Sequence, residues 1–498
     1  MKDSPCTRAC VRFAIAALLC VAGDAGAQTL RFSNHRKLAE PQDAILRIGP
    51  LYSTIAFSQS AGYRYSSSSG AGTDYLESGH KGVIKEDGYD YPLVSTLTMR
   101  NYMLVTKDSD LDMSVTVSYE HYPMKTQDNA FNVNLGEEGI IGDLSTEIAV
   151  TPFIKGTIFD GAIYRTDYVD TRGISDRYGG SRYRHFQNTV GINLDWLMTE
   201  EQNMAFSAAR LDQVPSGDDF ADQKGYTYSE LVGYQRKLTD YLVCGLAADF
   251  AQSTYTATNR PGASTMNYSA SSSARVTTFT TAGASLGYSV GSVESGGLGD
   301  ETDTSSATGS FSLETRLSKT LVHSLALSRA QRGGFKAALE IADSYSYNLS
   351  WHDDLASAAL HSTLSKVDPQ STAVGDYSDW TSGVELSFPL ARFIVLKATS
   401  AYAVRTNEKL QKTAAAGPAD GAAGSGSGTA PGSAESTSDY NTWISRASTG
   451  FGIWRDRELG AEVTFTTYFE HAARTSDNEN LRYERDTYGA DLVLVKKF

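Results

Sequence analysis

The sequence predicts an all-β chain: a transmembrane, antiparallel, up-and-down β-barrel of about 18–20 strands, with short periplasmic turns and long extracellular loops. Three observations predict it. An export leader stands at the N-terminus. The remainder alternates apolar and polar residues in runs of roughly 9–15. The connections between those runs alternate short and long.

The leader comes first. Lys2, Arg8 and Arg12 make a positive region, Phe13 to Ala22 is apolar, and Ala25-Gly26-Ala27 supplies small residues at a cleavage site. That order defines a secretory signal peptide over residues 1–27, with the exported chain starting at Gln28. The apolar run is about half the roughly 20 residues a membrane helix needs. A lipid anchor on Cys20 is disfavoured because Leu18 and Leu19, not small residues, precede it. Residues 28–44 are polar and are expected to form a short periplasmic tail, with the barrel over 45–498.

Composition bounds the rest. Of the four cysteines in the 498-residue chain, three lie in the leader, which leaves Cys244. An internal disulfide is thereby excluded, as is any Cys/His metal cluster. The formal net charge of −14 argues against nucleic acid as a partner. Beyond residue 27 no apolar stretch approaches helix-spanning length, so a membrane would be crossed by strands.

The strands follow in order. Leu111, Met113, Val115, Val117 and Tyr119 alternate with Asp112, Ser114, Thr116, Ser118 and Glu120. Val190, Ile192, Leu194 and Trp196 alternate with Thr189, Gly191, Asn193 and Asp195. Tyr345, Tyr347, Leu349 and Trp351 oppose Ser346, Asn348, Ser350 and His352. Successive side chains point to opposite faces of a strand, so each run has one apolar and one polar face. A soluble sandwich would share that pattern. Run length, aromatics near run ends (Tyr119, Tyr122, Trp351, Trp380, Trp454, Tyr468) and the alternating connections favour the membrane barrel.

Nineteen runs are clear, centred near 55, 98, 117, 149, 163, 190, 208, 232, 247, 281, 313, 326, 348, 361, 384, 398, 447, 464 and 490. Short connections are expected at 107–110, 197–203, 238–240, 318–320, 352–354, 389–392 and 455–458. Long ones are expected at about 66–90, 168–184, 256–273, 330–343, 406–438 and 472–482. Two periplasmic ends require an even count, and a weak strand within 289–301 would supply it. Residues 412–438 are Ala/Gly/Ser/Pro-rich and read as a flexible extracellular loop. The last run ends Leu492-Val493-Leu494-Val495-Lys496-Lys497-Phe498. Its terminal aromatic resembles the signal read by the barrel assembly machinery, with Lys496 able to snorkel at the headgroups.

Arg47-Ile48-Gly49-Pro50-Leu51-Tyr52, opening a long first strand, resembles the start of the type-two β-barrel porin family of bacterial outer-membrane proteins. So does the region 308–365, with Thr315-Arg316-Leu317-Ser318-Lys319, Leu321 to Arg329 and Asn348-Leu349-Ser350. The chain also resembles barrels encoded with exopolysaccharide biosynthesis clusters. The resemblance implies an outer-membrane porin-like barrel serving passage of polysaccharide, and carries over no catalytic residue.

No enzyme chemistry emerges from the residues. The eight histidines form no HExxH pair. Glu120-His121 and Glu470-His471 are adjacent, but strand neighbours point to opposite faces. Asp218-Asp219 and Asp353-Asp354 read as solvated turns ahead of Ca²⁺ ligands. No cofactor, metal or catalytic residue is assigned. The expected function is a hydrated passage for small polar solutes or an exported polysaccharide, with Asn193, Asp195, Glu314, Arg316, Asn348 and Glu462 facing it. The alternatives are a structural or adhesion barrel with a filled lumen, then an outer-membrane hydrolase. Expected partners are outer-membrane lipids, lipopolysaccharide and the assembly machinery.

Overall fold

The computed structural model describes residues 46–69, 88–106, 109–124, 130–134, 144–151, 153–169, 181–216, 218–257, 260–293, 302–334, 338–353, 355–370, 376–391, 393–407, 439–456, 460–476 and 482–497. The expected leader, the 28–44 tail, the 412–438 loop and Phe498 lie outside the described residues.

The described chain is one closed, all-β, antiparallel barrel of 20 strands. They are β1 (Leu51–Ser69), β2 (Gly88–Asp90 with Leu93–Thr106), β3 (Ser109–His121), β4 (Ala130–Asn134 with Leu144–Thr151) and β5 (Ile154–Val169). Then come β6 (Ser181–Thr199), β7 (Gln202–Ser216), β8 (Gly225–Thr239), β9 (Leu242–Tyr255) and β10 (Ala263–Arg275). β11 (Thr280–Val293), β12 (Thr302–Arg316), β13 (Leu321–Arg332), β14 (Glu340–Asp353) and β15 (Ala356–Pro369) follow. β16 (Tyr377–Ala391), β17 (Ile394–Asn407), β18 (Tyr440–Asp456), β19 (Ala461–Ser476) and β20 (Tyr483–Lys497) complete the ring. Each strand pairs with the next, and β1 closes on β20 from Ala56↔Lys497 to Ser69↔Glu484.

Two strands are built from halves. β2 keeps one register against β1 on both sides of Tyr91-Pro92 (Arg64↔Asp90, Ala61↔Leu93). Pro92 has no N–H to give the ladder, but its carbonyl still accepts the Gly62 N–H at 2.8 Å. In β4, Ala130–Asn134 meets β3 at residues 116–120 and Leu144–Thr151 meets it at 109–113.

Connections alternate strictly. Nine are short, at two to four residues, and lie at the end of the barrel that also holds the start of β1 and the end of β20. The other ten run from six residues upward. The expected short turns all fall here. Of the weak strand expected within 289–301, residues 289–293 belong to the end of β11, residues 294–301 lie outside the described residues, and β12 begins at Thr302. The twentieth strand is β10, inside the expected 256–273 loop. Its outward residues are Met266, Tyr268, Ala270, Ser272 and Ala274 and its inward ones Thr265, Asn267, Ser269, Ser271 and Ser273. Serine and alanine on both faces blur the period of two that marks a strand.

Register assigns each side chain a face. Val190, Ile192, Leu194 and Trp196 of β6 oppose Arg210, Ala208, Phe206 and Met204 of β7. The same rows continue through Tyr234, Val232 and Tyr228 of β8 to Leu246, Ala248 and Gln252 of β9. This outer face is apolar and exposed: Trp196 is 44 %, Leu246 61 % and Leu286 50 % accessible. Leu492, Leu494, Ala490 and Tyr488 of β20 lie on it, as does Lys496. Among the described residues no helix is long and apolar enough to cross a membrane.

Candidate functional site

The inner face encloses the lumen, and the expected passage-facing residues are all on it. Asn193 and Asp195 pair with Ser207 and Ala205, Glu314 and Arg316 with Ser324 and Val322, Asn348 with His361, and Glu462 with Val495. Ser207 donates to Asn193 Oδ1 at 2.7 Å. Tyr468 departs from its expected place among the girdle aromatics. It pairs with Ser448 and Gly489, so it points inward, where its ring fills the space that a side chain at 489 would need. Phe159 covers Gly191 in the same way.

The lumen has two unlike walls. From β8 to β15 the inner positions are small and mostly neutral: Thr227 and Ser229 on β8, Ser285, Gly287 and Ser289 on β11, Ser306, Thr308, Ser310 and Ser312 on β12, Ser344 and Ser346 on β14. Two carboxylates stand among them away from the short-turn end: Asp249, taking a 2.6 Å hydrogen bond from Asn267 Nδ2, and Glu340, paired with Arg332 at 2.7 Å. From β16 through β20 to β3 the inner face adds long, charged side chains to the small ones. Arg405 pairs with Asp379 at 3.1 Å, Arg446 with Glu470 at 3.8 Å and Arg100 with Asp112 at 3.3 Å. Near the long-loop end, Arg474 lies 4.2 Å from the Tyr440 ring centre and 5.0 Å from that of Tyr483, while Arg405 reaches Tyr440 from the other side at 5.1 Å. Cations stacked on aromatic faces are held without losing their charge.

A recess of about 540 Å³ opens in the charged wall between β17 and β19. Gly450 and Gly452 form its floor, with Lys397, Thr399, Arg446, Ser448, Thr464, Thr466 and the carboxylate Glu462 around it. A Cβ on Gly450 would come no nearer than 3.8 Å to any neighbour, an ordinary van der Waals contact, so the floor has room for a small side chain. The Arg446 guanidinium lies 4.3 Å above the Tyr468 ring. Two cations, one carboxylate and a set of hydroxyls line it, so it offers hydrogen-bond donors and acceptors to a hydrated, hydroxyl-bearing group.

Loops close part of the mouth. Phe220, in the short 3-10 segment Asp218–Gln223, packs on the inward Tyr183 with ring centres 4.8 Å apart. Gln213 donates to the Tyr183 hydroxyl. Arg260 sits 3.6 Å over the inward Tyr255 ring and donates to Gln223 and, at 2.8 Å, to the Gly334 carbonyl. One guanidinium thus ties the β7–β8, β9–β10 and β13–β14 loops together. Burial pulls Arg260 below its usual pKa, against the pull of Tyr255 and Asp222. Leu339, 1 % exposed, lies over Gly291, where a Cβ would meet its Cδ1 at 2.7 Å. These three loops therefore fold inward over the upper end of the hydroxyl wall. Sequence gave no sign of this, because the partners stand 37 and 74 residues from Arg260.

The histidine pairs do not form acid–base sets. Glu120 and Glu470 point inward and His121 and His471 outward, where His471 Nδ1 meets Asp486 at 2.8 Å. Among the described residues no three His, Cys, Asp or Glu converge as a metal site.

No family model and no curated protein matches the chain. Among solved structures it is similar to the FrpB iron transporter from Neisseria meningitidis (F5-1 variant), at 9 % identity and a TM-score of 0.46, over 89 % of this chain and 82 % of that one. It is similar to the siderophore receptor PirA from Pseudomonas aeruginosa at 8 % identity and a TM-score of 0.42, over 89 % and 80 %. It is also similar to OpdQ from the same organism at 8 % identity and a TM-score of 0.39, over 90 % and 97 %.

Proposed function

We propose that the chain is an outer-membrane, porin-like barrel that gives small polar solutes or an exported polysaccharide a hydrated passage. The observation that carries this reading is the division of faces: one continuous apolar belt outside and one continuous polar surface inside a ring of 20 strands. Barrels of about 16–18 strands already leave a water-filled channel. Water is needed inside because a polar wall without it would strand many hydrogen-bonding groups. The hydroxyl wall supports a carbohydrate cargo, since serine and threonine exchange hydrogen bonds with sugar hydroxyls without fixing them by charge. The resemblance to exopolysaccharide-linked barrels points the same way. The reading includes export through the 1–27 leader, assembly through the β20 end, and contact with lipopolysaccharide around the mouth.

Liposome swelling with the refolded protein tests it. Sugars of graded size should enter at rates that fall with size, and vesicles that exclude even the smallest sugar would overturn the passage. The inward loops favour a second reading, an adhesion barrel with an obstructed lumen. In that case protease shaving of whole cells would abolish attachment while swelling stayed absent.

A further inference from the structure

The hairpin that joins β13 to β14 does not stay in the wall. β12 and β13 pair only from Arg316↔Val322 up to Gly309↔Arg329, although β12 runs on to Thr302. β13 and β14 stay paired up to Arg332↔Glu340. The hairpin tip therefore parts from β12 and leans over the lumen. Its outward side, from which Gln331 projects, is thereby laid on the inner face of β11 and β12. Gln331 Nε2 donates to Thr304 Oγ1 at 2.7 Å. A Cβ on Gly291 would run into that Nε2 and into Leu339 Cδ1, so glycine is what lets the tip lie this close. Ala338 and Leu339 pack against Ala263 and Val293. Gly333 reaches as far as β9, where a Cβ on it would stand 3.9 Å from Ser253 Oγ. On the other side the Leu339 carbonyl accepts the Gln370 N–H at 2.8 Å, so the tip stays joined to β15 where it has left β12.

The next inward rung below Gly291↔Thr304 is polar. Asp249, Asn267 and Ser289 stand side by side on β9, β10 and β11. Asn267 gives its Nδ2–H to Asp249 at 2.6 Å, so its Oδ1 points away from that carboxylate. Asn267 Oδ1, Ser289 Oγ and Gln331 Oε1 are buried with no hydrogen-bond partner in the protein. Ser289 is 0 % and Gln331 4 % exposed. Buried polar groups are nearly always paired, so three orphaned acceptors around one covered rung call for a partner from outside the chain. The closed contact leaves them unsatisfied, which weakens it, and elements that open are drawn from such weakly held places. The missing partner is a donor. A sugar hydroxyl donates without bringing a charge, and the hydroxyls of Thr265, Thr304 and Ser306 beside the rung can exchange hydrogen bonds with its neighbours. An acidic unit would bring further acceptors and would face Asp249.

We infer that this rung is a lidded subsite for an uncharged, hydroxyl-bearing sugar unit, and that the β13–β14 hairpin tip is its lid. Lifting the tip uncovers Asp249, Asn267 Oδ1 and Ser289 Oγ to the sugar's hydroxyls. Closing it lays the Gln331 amide in the sugar's place. This rests on the passage reading above and names the cargo within it, a neutral glycan and not an acidic one.

The test ties the lid shut. Ser253→Cys with Gly333→Cys, on a Cys244→Ser background, places two thiols near enough to be bridged. Liposome swelling reads the entry of maltotriose, a neutral glucose trimer, and of a galacturonate trimer. Maltotriose should enter the reduced protein faster than the galacturonate trimer, stop when the bridge forms and enter again on reduction. In a planar bilayer maltotriose should block the potassium chloride current of the unbridged barrel, and Asn267→Ala should weaken that block. Gln331→Ala removes the tie to Thr304 and should speed maltotriose entry, which keeps the lid testable if the double-cysteine variant fails to fold. Maltotriose entry that ignores both the bridge and Gln331→Ala overturns the lid. A current that maltotriose never blocks, or a galacturonate trimer that enters as fast as maltotriose, overturns the subsite while the passage stands. If no sugar of any size enters the unbridged protein, the passage reading falls, and the subsite with it.

Discussion

Leu246→Arg and Ala247→Arg are neighbours in sequence that should differ sharply in effect. Leu246 points outward between Tyr234 and Ala270, while Ala247 points into the lumen between Gly233 and Ser269. Leu246 stands five residues above the turn residue Tyr241, about 12–13 Å along a tilted strand. That is the middle of an apolar band about 25 Å tall, where an arginine costs about 2–4 kcal/mol. The folding equilibrium should shift by roughly thirtyfold to several hundredfold, at about 1.4 kcal/mol per tenfold. Ala247→Arg faces water and small side chains and should change stability by about 0.5 kcal/mol or less. Urea titration in phospholipid vesicles, read by tryptophan fluorescence and by heat-modifiable gel mobility, measures both. Equal costs, or a larger cost at 247, would refute the assignment of faces.

Three further outcomes follow from the lumen and its mouth. Arg260→Ala removes two hydrogen bonds from a buried cation, about 1.5–3 kcal/mol each. Limited proteolysis within 256–262 and 333–339 should accelerate while the barrel stays folded. Lys397→Glu together with Arg446→Glu replaces both cations of the recess with carboxylates. The reversal potential in a salt gradient should move towards cation selectivity, and an unmoved potential would place the recess off the ion path. Gly191→Val puts side-chain carbon 2.7 Å from the Ala208 carbonyl and into the Phe159 ring, and should destabilise by about 1–3 kcal/mol in the same urea titration.

The barrel was legible where large apolar residues recur every second position, as in β6 and β14. It was illegible at β10, where serine and alanine occupy both faces and the alternation is carried chiefly by Met266 and Tyr268. Strand ends near the long loops were cut short for a related reason: above the Arg329–Asp343 row the outer face turns polar too, so the period of two fades before the pairing does. The recess and the inward loops depend on register and on contacts between distant loops. Alternation fixes which face a residue takes but not its height on the wall, and height is what brings Lys397, Arg446 and Thr466 together.

The most direct measurement is the current through a planar lipid bilayer holding the refolded chain. A hydrated lumen predicts discrete conductance steps that grow with salt concentration. A bilayer that stays silent, with protein inserted and folded by its heat-modifiable mobility, would contradict it.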